Sequence, residues 1–435
     1  METVGSILLT ILLLSILVLV HEFGHFIAAK AMGIKVIEFA LFMGPKIFSF
    51  KKGETLYSIR CIPLGGFCSM EGEEVSSDDS RAYSNKPWYK KALVLIAGPF
   101  MNLLLAFIFT IVLFLSFGHQ SLAVAEVIPG SSAAQAGVSE GDKIVNINGM
   151  GVSSALELGT YEEMYKKDKE DNNGEYIYTI RKANGEKVEV SSSSLSGLGV
   201  RTANFSKNQE KSSGVYIYEV EEDGLASEAQ LGPDDKIAAI NGNEVKSITS
   251  YYYYRDTAGY PRTITFEKQD GSKVDVVIEN EEINAGVNMY SINNDIPQGF
   301  GTIMGEAVEF NFSLIKVTVK SIVWLVTGTA KAEDVTGPVG MVSIVSDTVS
   351  SAPSFRTGLY SFMFLAVLIS VNLGVFNILP FPALDGGRLI FALIEGIRGK
   401  KIKPEHEGLV SLVGFVILIG LSILVFVGDI IKLFK

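Results

Sequence analysis

The chain contains 435 residues, of which 48% are hydrophobic and 20% are charged, and its mean hydropathy is +0.30. The high apolar content excludes a disordered chain, and 43 glycines without a three-residue period exclude a collagen-like one. The formal net charge of −11 argues against a nucleic-acid-binding protein, which normally carries a basic face, so we expect no nucleic-acid partner. The two cysteines, Cys61 and Cys68, are too few for a disulfide framework.

Four segments contain no Asp, Glu, Lys or Arg and are long enough to cross a bilayer core of about 30 Å. They are residues 5–21, 92–117, 357–384 and 408–428. No basic residue precedes the first segment and no small-residue cleavage site follows it, so we interpret it as a membrane span rather than a signal peptide. The sequence therefore predicts an α-helical multi-pass membrane protein with four transmembrane helices.

The charges of the connecting segments predict the orientation of these spans. Residues 30–91 contain 10 basic and 7 acidic residues, residues 388–408 contain 5 and 3, and residues 118–361 contain 20 and 34. Because positive loops remain in the cytoplasm, both short loops are expected inside, and the long acidic region and both termini outside. Cys61 and Cys68 then lie on the reducing side, and we expect free thiols.

The outer region contains an internal repeat. Residues 124–149, VAEVIPGSSAAQAGVSEGDKIVNING, recur in related form at 216–242, and the closing glycines of the two copies, Gly149 and Gly242, are 93 residues apart. Each copy predicts a strand, a small-residue turn, a short helix, a second strand and an Asn-Gly hairpin turn. This spacing is too long for a solenoid and suits two tandem small domains.

The repeated pattern resembles the PDZ domain, which implies two α+β domains outside the membrane. By the same resemblance, Gly197, Leu198, Gly199 and Val200 look like the PDZ carboxylate-binding loop. In that loop, backbone N–H groups form a nest for a peptide C-terminus, and the next strand edge accepts the peptide as an added strand. The alternative is two β-rich domains that act only as spacers, since a repeat supports a fold and not a ligand.

Residues 305–327 are apolar but contain four charged residues, Glu306, Glu309, Lys316 and Lys320. The two lysines fall on one helical face, which predicts an amphipathic helix lying at the membrane surface. A fifth span is the alternative, and it would break the topology that the charges predict.

The candidate chemistry begins near the end of the first span, where His21-Glu22-Phe23-Gly24-His25 forms the HExxH pattern. Residues four apart share one helical face, so both imidazoles can bind one zinc ion, and Glu22 can act as general base towards an activated water. The chain contains only four histidines, which makes a chance match improbable. A buried histidine pair with a paired glutamate is the alternative, but ionisable residues at the end of a span favour function.

A catalytic zinc needs a third protein ligand and an open coordination position. Asp385 follows the third span on the same predicted side as the two histidines, whereas Asp429 closes the fourth span at the opposite face. Pro380 and Pro382 should break the helix just before Asp385 and turn its carboxylate inwards. Asp385 is therefore the predicted third ligand, and an ordinary turn aspartate beside the membrane is the alternative.

With these motifs, the sequence resembles the site-2 protease family of intramembrane zinc metalloproteases, in particular its bacterial RseP-like type with tandem PDZ domains. The resemblance covers nearly the whole chain and includes Asn-x4-Asn-x2-Pro-x-Pro-x2-Asp-Gly-Gly in the third span. It implies a Zn²⁺ cofactor held by His21, His25 and Asp385, with Glu22 as catalytic base. It also implies a multi-pass protein of the bacterial cell membrane, with the active site towards the cytoplasm and the PDZ-like domains extracytoplasmic.

The resemblance also implies substrate-binding residues. Asn377 and Asn372 would hold the substrate backbone, with helix–helix hydrogen bonding as the alternative for both. Residues 56–62, with Ile59 at their centre, alternate as a strand before Gly65 and Gly66 and look like the family's membrane-associated β-loop. An unwound substrate segment would add as a strand to the 56–62 edge. Ala97-Gly98-Pro99 with Asn102 in the second span, and Gly337-Pro338-Val339-Gly340, also match the family, and we assign them no catalytic part.

The predicted organisation follows from these assignments. The segments are the first transmembrane helix with HExxH (1–30), a cytoplasmic loop with membrane-associated β-strands (31–91), the second helix (92–117), the first and second PDZ-like domains (118–208 and 209–296), an amphipathic surface helix and connector (297–356), the third helix with Asp-Gly-Gly (357–385), a cytoplasmic loop (386–407) and the fourth helix (408–431).

We expect the substrates to be single-pass transmembrane proteins, because peptide bonds hidden in a helix within membrane lipid must be unwound before attack. The resemblance suggests anti-sigma factors or signal-peptide remnants, pre-trimmed by a site-1 protease and admitted by the PDZ-like domains. Two other classes of protein are alternatives to a protease. A membrane scaffold with a structural zinc leaves Glu22 without a role, and an ion transporter favours paired repeats in the membrane halves, which we do not find.

Overall fold

The chain is represented by a computed structural model that describes residues 2–73, 75–167, 175–205, 213–221, 224–281, 285, 287–292, 299–327 and 355–433. By packing, it divides into two compact units, one of residues 1–113 and 314–435 and the other of residues 114–313. The glycine-proline motif at 337–340 and most of the predicted connector at 297–356 lie outside the described residues.

In the described part of the chain, the helices and strands begin with one helix, continue as strands interspersed with helices, and end with four helices. In order they are α1 (Glu2–Ala31), β1 (Val36–Lys52), β2 (Thr55–Met70), α2 (Trp88–Phe117), β3 (His119–Val127), α3 (Ser132–Gln135), β4 (Lys143–Ile147), β5 (Met150–Gly151), α4 (Ala155–Lys167), β6 (Tyr176–Arg181), β7 (Lys187–Ser192), α5 (Leu195–Leu198), β8 (Val200–Phe205), β9 (Gly214–Val220), α6 (Leu225–Glu228), β10 (Lys236–Ile240), β11 (Asn243–Glu244), α7 (Ile248–Thr257), β12 (Arg262–Glu267), β13 (Lys273–Ile278), β14 (Val287–Ile292), α8 (Phe300–Thr327), α9 (Phe355–Ile378), α10 (Asp385–Arg398) and α11 (Pro404–Leu433).

Four of the described helices are long and apolar enough to cross a membrane, and they match the four predicted spans, except that α9 ends before residues 379–384 of the third. The candidate spans are Leu8–Ala31 in α1, Trp88–Phe117 in α2, Gly358–Ile378 in α9 and Pro404–Ile423 in α11. Among the described helices, α8 is not one of these candidates. A buried cluster of Leu13, Leu17 and Ala366, flanked by side chains of α2, packs α1, α2 and α9 together.

The third predicted span does not continue as one helix to Asp385. α9 ends at Ile378, and Asp385 is the first residue of α10, so the segment predicted as a loop (386–407) is largely helical. Pro380 and Pro382 cannot donate a backbone hydrogen bond, and Ala383 adopts a φ of 80°, so the helix cannot pass through this stretch. The break that the prolines predict is present, and it begins earlier than expected.

The sheet between α1 and α2 consists of β1 and β2, which pair antiparallel and fold back so that some residues have partners on both sides. Ile59 pairs with Leu41 and also with Phe48, and residues 56–58 are flanked in the same way. The prediction that a substrate adds to the 56–62 edge, with Ile59 at its centre, is therefore wrong for residues 56–59, because these are internal to the sheet. In this sheet, residues 66–70 pair with 36–41 alone and form the outer edge.

The other unit contains two sheets of identical topology, which is the structural form of the sequence repeat. The first sheet has the order β7-β6-β4-β3-β8 and the second has the order β13-β12-β10-β9-β14, each with one further short strand, β5 or β11, beside the third. In the second sheet, Ile217, Ile237 and Phe266 are fully buried in one apolar cluster beneath α7. Each repeat thus forms a β-rich domain with its own core.

Candidate metal centre and active site

The HExxH motif and Asp385 converge on one point. His21 Nε2 lies 3.0 Å from Asp385 Oδ2, His25 Nε2 lies 3.2 Å from the same oxygen, and the two Nε2 atoms are 3.1 Å apart. Atoms bound to one zinc ion at about 2.0 Å in a tetrahedron lie about 3.3 Å apart. Among the described residues, these three side chains form the one group of three or more that could hold a metal ion.

The surroundings of His25 suit a metal ligand. Its Nδ1 lies 2.8 Å from the carbonyl oxygen of Val94, so Nδ1–H donates there and Nε2 keeps its lone pair for a metal. Gly98 faces the same point from α2, where an added Cβ would lie 2.4 Å from His25 Nε2 and 2.8 Å from His21 Nε2. The absence of a side chain at Gly98 therefore leaves the space that the imidazoles occupy.

His21 is oriented by Asn102, which is fully buried in α2. Asn102 Nδ2 lies 3.1 Å from His21 Nδ1, and among the described residues Asn102 Oδ1 has no hydrogen-bond partner. With its amide turned so that Oδ1 faces His21, Asn102 accepts a hydrogen bond from His21 Nδ1–H. His21 Nε2 is then also unprotonated, so the donor set of two imidazoles and one carboxylate fits Zn²⁺.

Glu22 is held against the outer edge of the sheet. Its Oε2 accepts a hydrogen bond of 3.0 Å from the backbone N–H of Cys68, which fixes the carboxylate beside the metal-ligand group. The Cys68 thiol is an additional side chain close to Glu22, and it is not disulfide-bonded, as predicted for both cysteines. Burial raises the pKa of this thiol, so it stays protonated at neutral pH.

Buried ion pairs hold α10, the helix that begins with Asp385. Lys91 at the start of α2 forms hydrogen bonds of 3.0 and 2.8 Å with Glu395, and both side chains are almost completely buried. Arg388, one turn after Asp385, pairs with Glu73 at 2.6 Å and with Glu407 at 3.1 Å. These contacts fix the position of the helix that carries the third candidate ligand.

The two asparagines predicted to hold the substrate make contacts within the protein. Asn372 Oδ1 accepts a hydrogen bond of 2.7 Å from the Thr318 hydroxyl of α8, which is the helix–helix alternative. Asn377 is half-buried, and its Nδ2 donates to the Leu373 carbonyl one turn earlier in α9. Substrate contact by either residue stays a prediction.

The predicted carboxylate-binding loop belongs to the first β-rich domain and is largely closed. Gly197 N–H donates to Ser194 Oγ and Leu198 N–H donates to Ser194 O, each at 3.0 Å. Gly199 has a φ of 75°, and Val200 pairs with Val127 in the sheet. The expectation of an open nest of successive N–H groups is therefore wrong here, because a short helical turn has already used two of them.

Sequence reasoning missed the residues that orient the ligands. Gly98 and Asn102 were recognised as a family motif without a role, and the structure places both against the two histidines. The Cys68 N–H and Arg388 carried no signal in the sequence, since one is a backbone group and the other a charge in an expected loop.

Known proteins resemble this chain over nearly its whole length. The sequence model of Peptidase family M50 matches residues 9–421. The chain is 32% identical to a Clostridium perfringens protein over 426 residues, which cover 98% of each chain. It is 29% identical over 463 residues to the zinc metalloprotease RasP of Shouchella clausii, covering 99% of this chain and 100% of the relative. It is also 29% identical over 468 residues to RasP of Geobacillus kaustophilus, covering 100% and 99%.

A match over most of the chain, together with the HExxH helix and Asp385, confirms the predicted family and the predicted zinc cofactor. The chain belongs to peptidase family M50, the site-2 proteases, and is a zinc metalloprotease.

Proposed function

We propose that this protein hydrolyses peptide bonds within the transmembrane segments of single-pass membrane proteins. The observation that carries the proposal is the convergence of His21, His25 and Asp385 beside Glu22, with both histidines inside a candidate membrane span. A site at that depth would lie within the bilayer, where it is accessible to the transmembrane segment of a membrane protein and not to a soluble substrate.

The side chains have distinct roles in the proposed reaction. When held by His21, His25 and Asp385, Zn²⁺ supplies Lewis-acid activation of water and of the scissile carbonyl group. Glu22 accepts the proton of the attacking water and delivers it to the leaving amine. The Cys68 N–H keeps the Glu22 carboxylate oriented for both transfers. Since water is the nucleophile, no covalent acyl-enzyme forms.

The substrate backbone binds at the outer edge of the sheet, residues 66–70. The N–H groups of Cys68 and Met70 point away from β1, towards Glu22 and Glu73, and strand alternation points the Gly66 N–H the same way. Because the Cys68 and Met70 N–H groups already donate to Glu22 and Glu73, an unwound substrate segment that adds here would pair with the Gly66 N–H and with the outward carbonyl groups of the edge, beside the catalytic base. Asn377 would supply a further amide donor.

Photo-crosslinking from the two edges of the sheet tests this assignment. Phe67 lies in the outer edge, and Phe50 lies in the part of β1 that pairs only with 55–60, on the other side of the sheet. A benzoyl-phenylalanine at 67 should crosslink a single-pass substrate trapped on the Glu22→Gln protein, and the same residue at 50 should not. Equal crosslinking from both positions would contradict the proposal.

Cleavage of a single-pass model substrate by purified protein in a bilayer tests the chemistry. The Glu22→Gln variant should keep its zinc and lose cleavage by about 10²–10⁴-fold, the usual contribution of a positioned acid–base group. Near-normal turnover by this variant would refute the assignment of Glu22 as base.

The two β-rich domains are proposed to be PDZ-like domains that lie outside the cytoplasm and filter substrates by size. Their shared topology and the acidic charge of the region support this role, and the closed loop at 197–200 argues against peptide capture by the first domain. Substrates such as anti-sigma factors or signal-peptide remnants, trimmed beforehand by a site-1 protease, would pass this filter. The active site would then open towards the cytoplasmic face.

Deletion of residues 121–290 tests the filter. The shortened protein should cut a substrate that still carries its large outer domain, whereas the full chain should cut only the trimmed form. An untrimmed substrate that stays intact with the shortened protein, while the trimmed form is still cut, would show that the domains do not act as a gate.

A further inference from the structure

The helix α10 has an unusual distribution of polarity. Arg388, Ala392 and Glu395, spaced i, i+4 and i+7, share the face that packs against the protein, where both charges are paired. The opposite face exposes Ile390, Leu393 and Ile397, with exposed side-chain fractions of 38%, 43% and 87%. A helix in water places its charges outwards and its aliphatic residues inwards, so this arrangement indicates that lipid, not water, covers the exposed face.

The connections of α10 place it at a membrane surface. It lies six residues after α9 and five residues before α11, both of which contain candidate spans. Its 14 residues extend about 21 Å, too short to cross a bilayer core of about 30 Å. The spans on both sides of it must therefore end at the same face of the membrane, and α10 lies along that face.

A basic segment follows the apolar face directly. Residues 398–403 read Arg-Gly-Lys-Lys-Ile-Lys, and Lys401 is committed to the Asn85 carbonyl at 3.0 Å. The side chains of Arg398, Lys400 and Lys403 are exposed and form no salt bridge within the part of the chain that the structure describes, and Lys403 also interacts electrostatically with Glu405. These three cationic side chains follow the exposed apolar face of α10 directly. They would therefore lie at the depth of the lipid headgroups and could pair with the phosphates of anionic lipids.

We propose that α10 and residues 398–403 form a binding surface for anionic phospholipid, with Ile390, Leu393 and Ile397 in the acyl region and Arg398, Lys400 and Lys403 on the headgroups. Charge complementarity and continuity with the two adjoining spans identify the bilayer surface, rather than a second copy of the chain, as the occupant.

The first arm of the test measures lipid contact. Full-length protein carrying Cys61→Ser, which leaves only the buried Cys68, is labelled with an environment-sensitive fluorophore at Ile397→Cys, and in a second protein at Leu393→Cys. The control is Ser80→Cys, an exposed position outside the helices. In nanodiscs, nitroxide-bearing lipid should quench the probes at 397 and 393 and leave the probe at 80 unaffected. Probes at 397 and 393 that iodide in the water quenches, or that neither quencher reaches, would overturn the proposal.

The second arm measures headgroup preference by native mass spectrometry of the full chain with phosphatidylglycerol or phosphatidylcholine. Each basic residue near a surface contributes about fivefold, so Arg398→Gln/Lys400→Gln/Lys403→Gln should reduce the preference for phosphatidylglycerol on the order of 100-fold. The control, Lys187→Gln/Lys246→Gln/Lys273→Gln, removes the same charge from exposed strand and turn positions and should leave the preference unchanged. Equal losses in both variants, or no loss in the first, would overturn the proposal.

Discussion

Replacement of Gly98 by alanine should destroy the metal centre without harming the helix that carries it. The added Cβ would lie 2.4 Å from His25 Nε2 and 2.8 Å from His21 Nε2, against an ordinary contact of about 3.5 Å or more. The imidazoles would have to move by up to about 1 Å, whereas zinc–ligand distances tolerate only about 0.2 Å. Alanine is favoured over glycine within a helix by about 1 kcal/mol, so the substitution should stabilise α2 itself while it disrupts the metal centre.

We therefore expect Gly98→Ala to lose at least 100-fold in zinc affinity and in cleavage, with helix content unchanged. The loss is at least that of an outer-shell partner, about 10–100-fold, because here the ligands themselves are displaced. Chelator competition gives the affinity and circular dichroism gives the helix content. Gly420→Ala is the matched control, since it lies in α11 with no atom within 4 Å of its added Cβ. Wild-type zinc affinity in Gly98→Ala would refute the geometry.

Substitutions at three further contacts probe the surroundings of the site. Asn102→Ala should weaken zinc binding by about 10–100-fold in a chelator titration, whereas Asn102→Asp, which keeps an acceptor for the His21 side, should bind zinc normally. Lys91→Met leaves the Glu395 charge buried and unpaired and should lower the free energy of unfolding by about 3–5 kcal/mol. The double variant Lys91→Met/Glu395→Met, which removes both charges, should recover most of this loss. Gly66→Ala places a Cβ 2.8 Å from the Ala40 carbonyl oxygen, so it should raise KM by distorting the outer edge while zinc content stays unchanged. A weaker zinc site in Gly66→Ala, or a stable Lys91→Met protein, would contradict these two assignments.

The metal ligands could be predicted because local rules determine them. His21 and His25 share a face by helical spacing alone, and the prolines before Asp385 require a helix break whatever the tertiary structure. The four candidate spans follow equally from runs of uncharged residues longer than a bilayer needs. These features depend on sequence neighbours and not on packing.

The substrate edge could not be predicted because strand alternation does not reveal a strand's neighbours. Residues 56–62 alternate as a strand whether they lie inside or at the edge of a sheet, and only the double pairing of residues 56–59 shows that this part is internal. Ser194 likewise accepts hydrogen bonds from the Gly197 and Leu198 N–H groups. These bonds depend on the local backbone conformation, which the sequence Gly-Leu-Gly-Val does not determine.

The supporting residues depend on how helices pack. Asn102 and Gly98 touch the histidines because α1 crosses α2 closely at Gly24, where an added Cβ would lie 2.3 Å from the Ala97 carbonyl oxygen. The charges of α10 suggested a loop, since the sequence does not show that Lys91 and Glu73 neutralise them. Neither the contacts of Gly98 and Asn102 nor the pairing of the α10 charges can be recognised without knowing which residues lie beside them in the folded protein.

The central claim is that one zinc ion joins α1 to α10 through two imidazoles and a carboxylate. X-ray absorption at the zinc edge of purified full-length protein tests it most directly, with Asp385→Ala measured alongside. The account predicts one zinc per chain, with two imidazoles and oxygen at about 2.0 Å and no sulfur, and loss of stoichiometric zinc in Asp385→Ala. A sulfur neighbour at about 2.3 Å, or full zinc occupancy in Asp385→Ala, would contradict it.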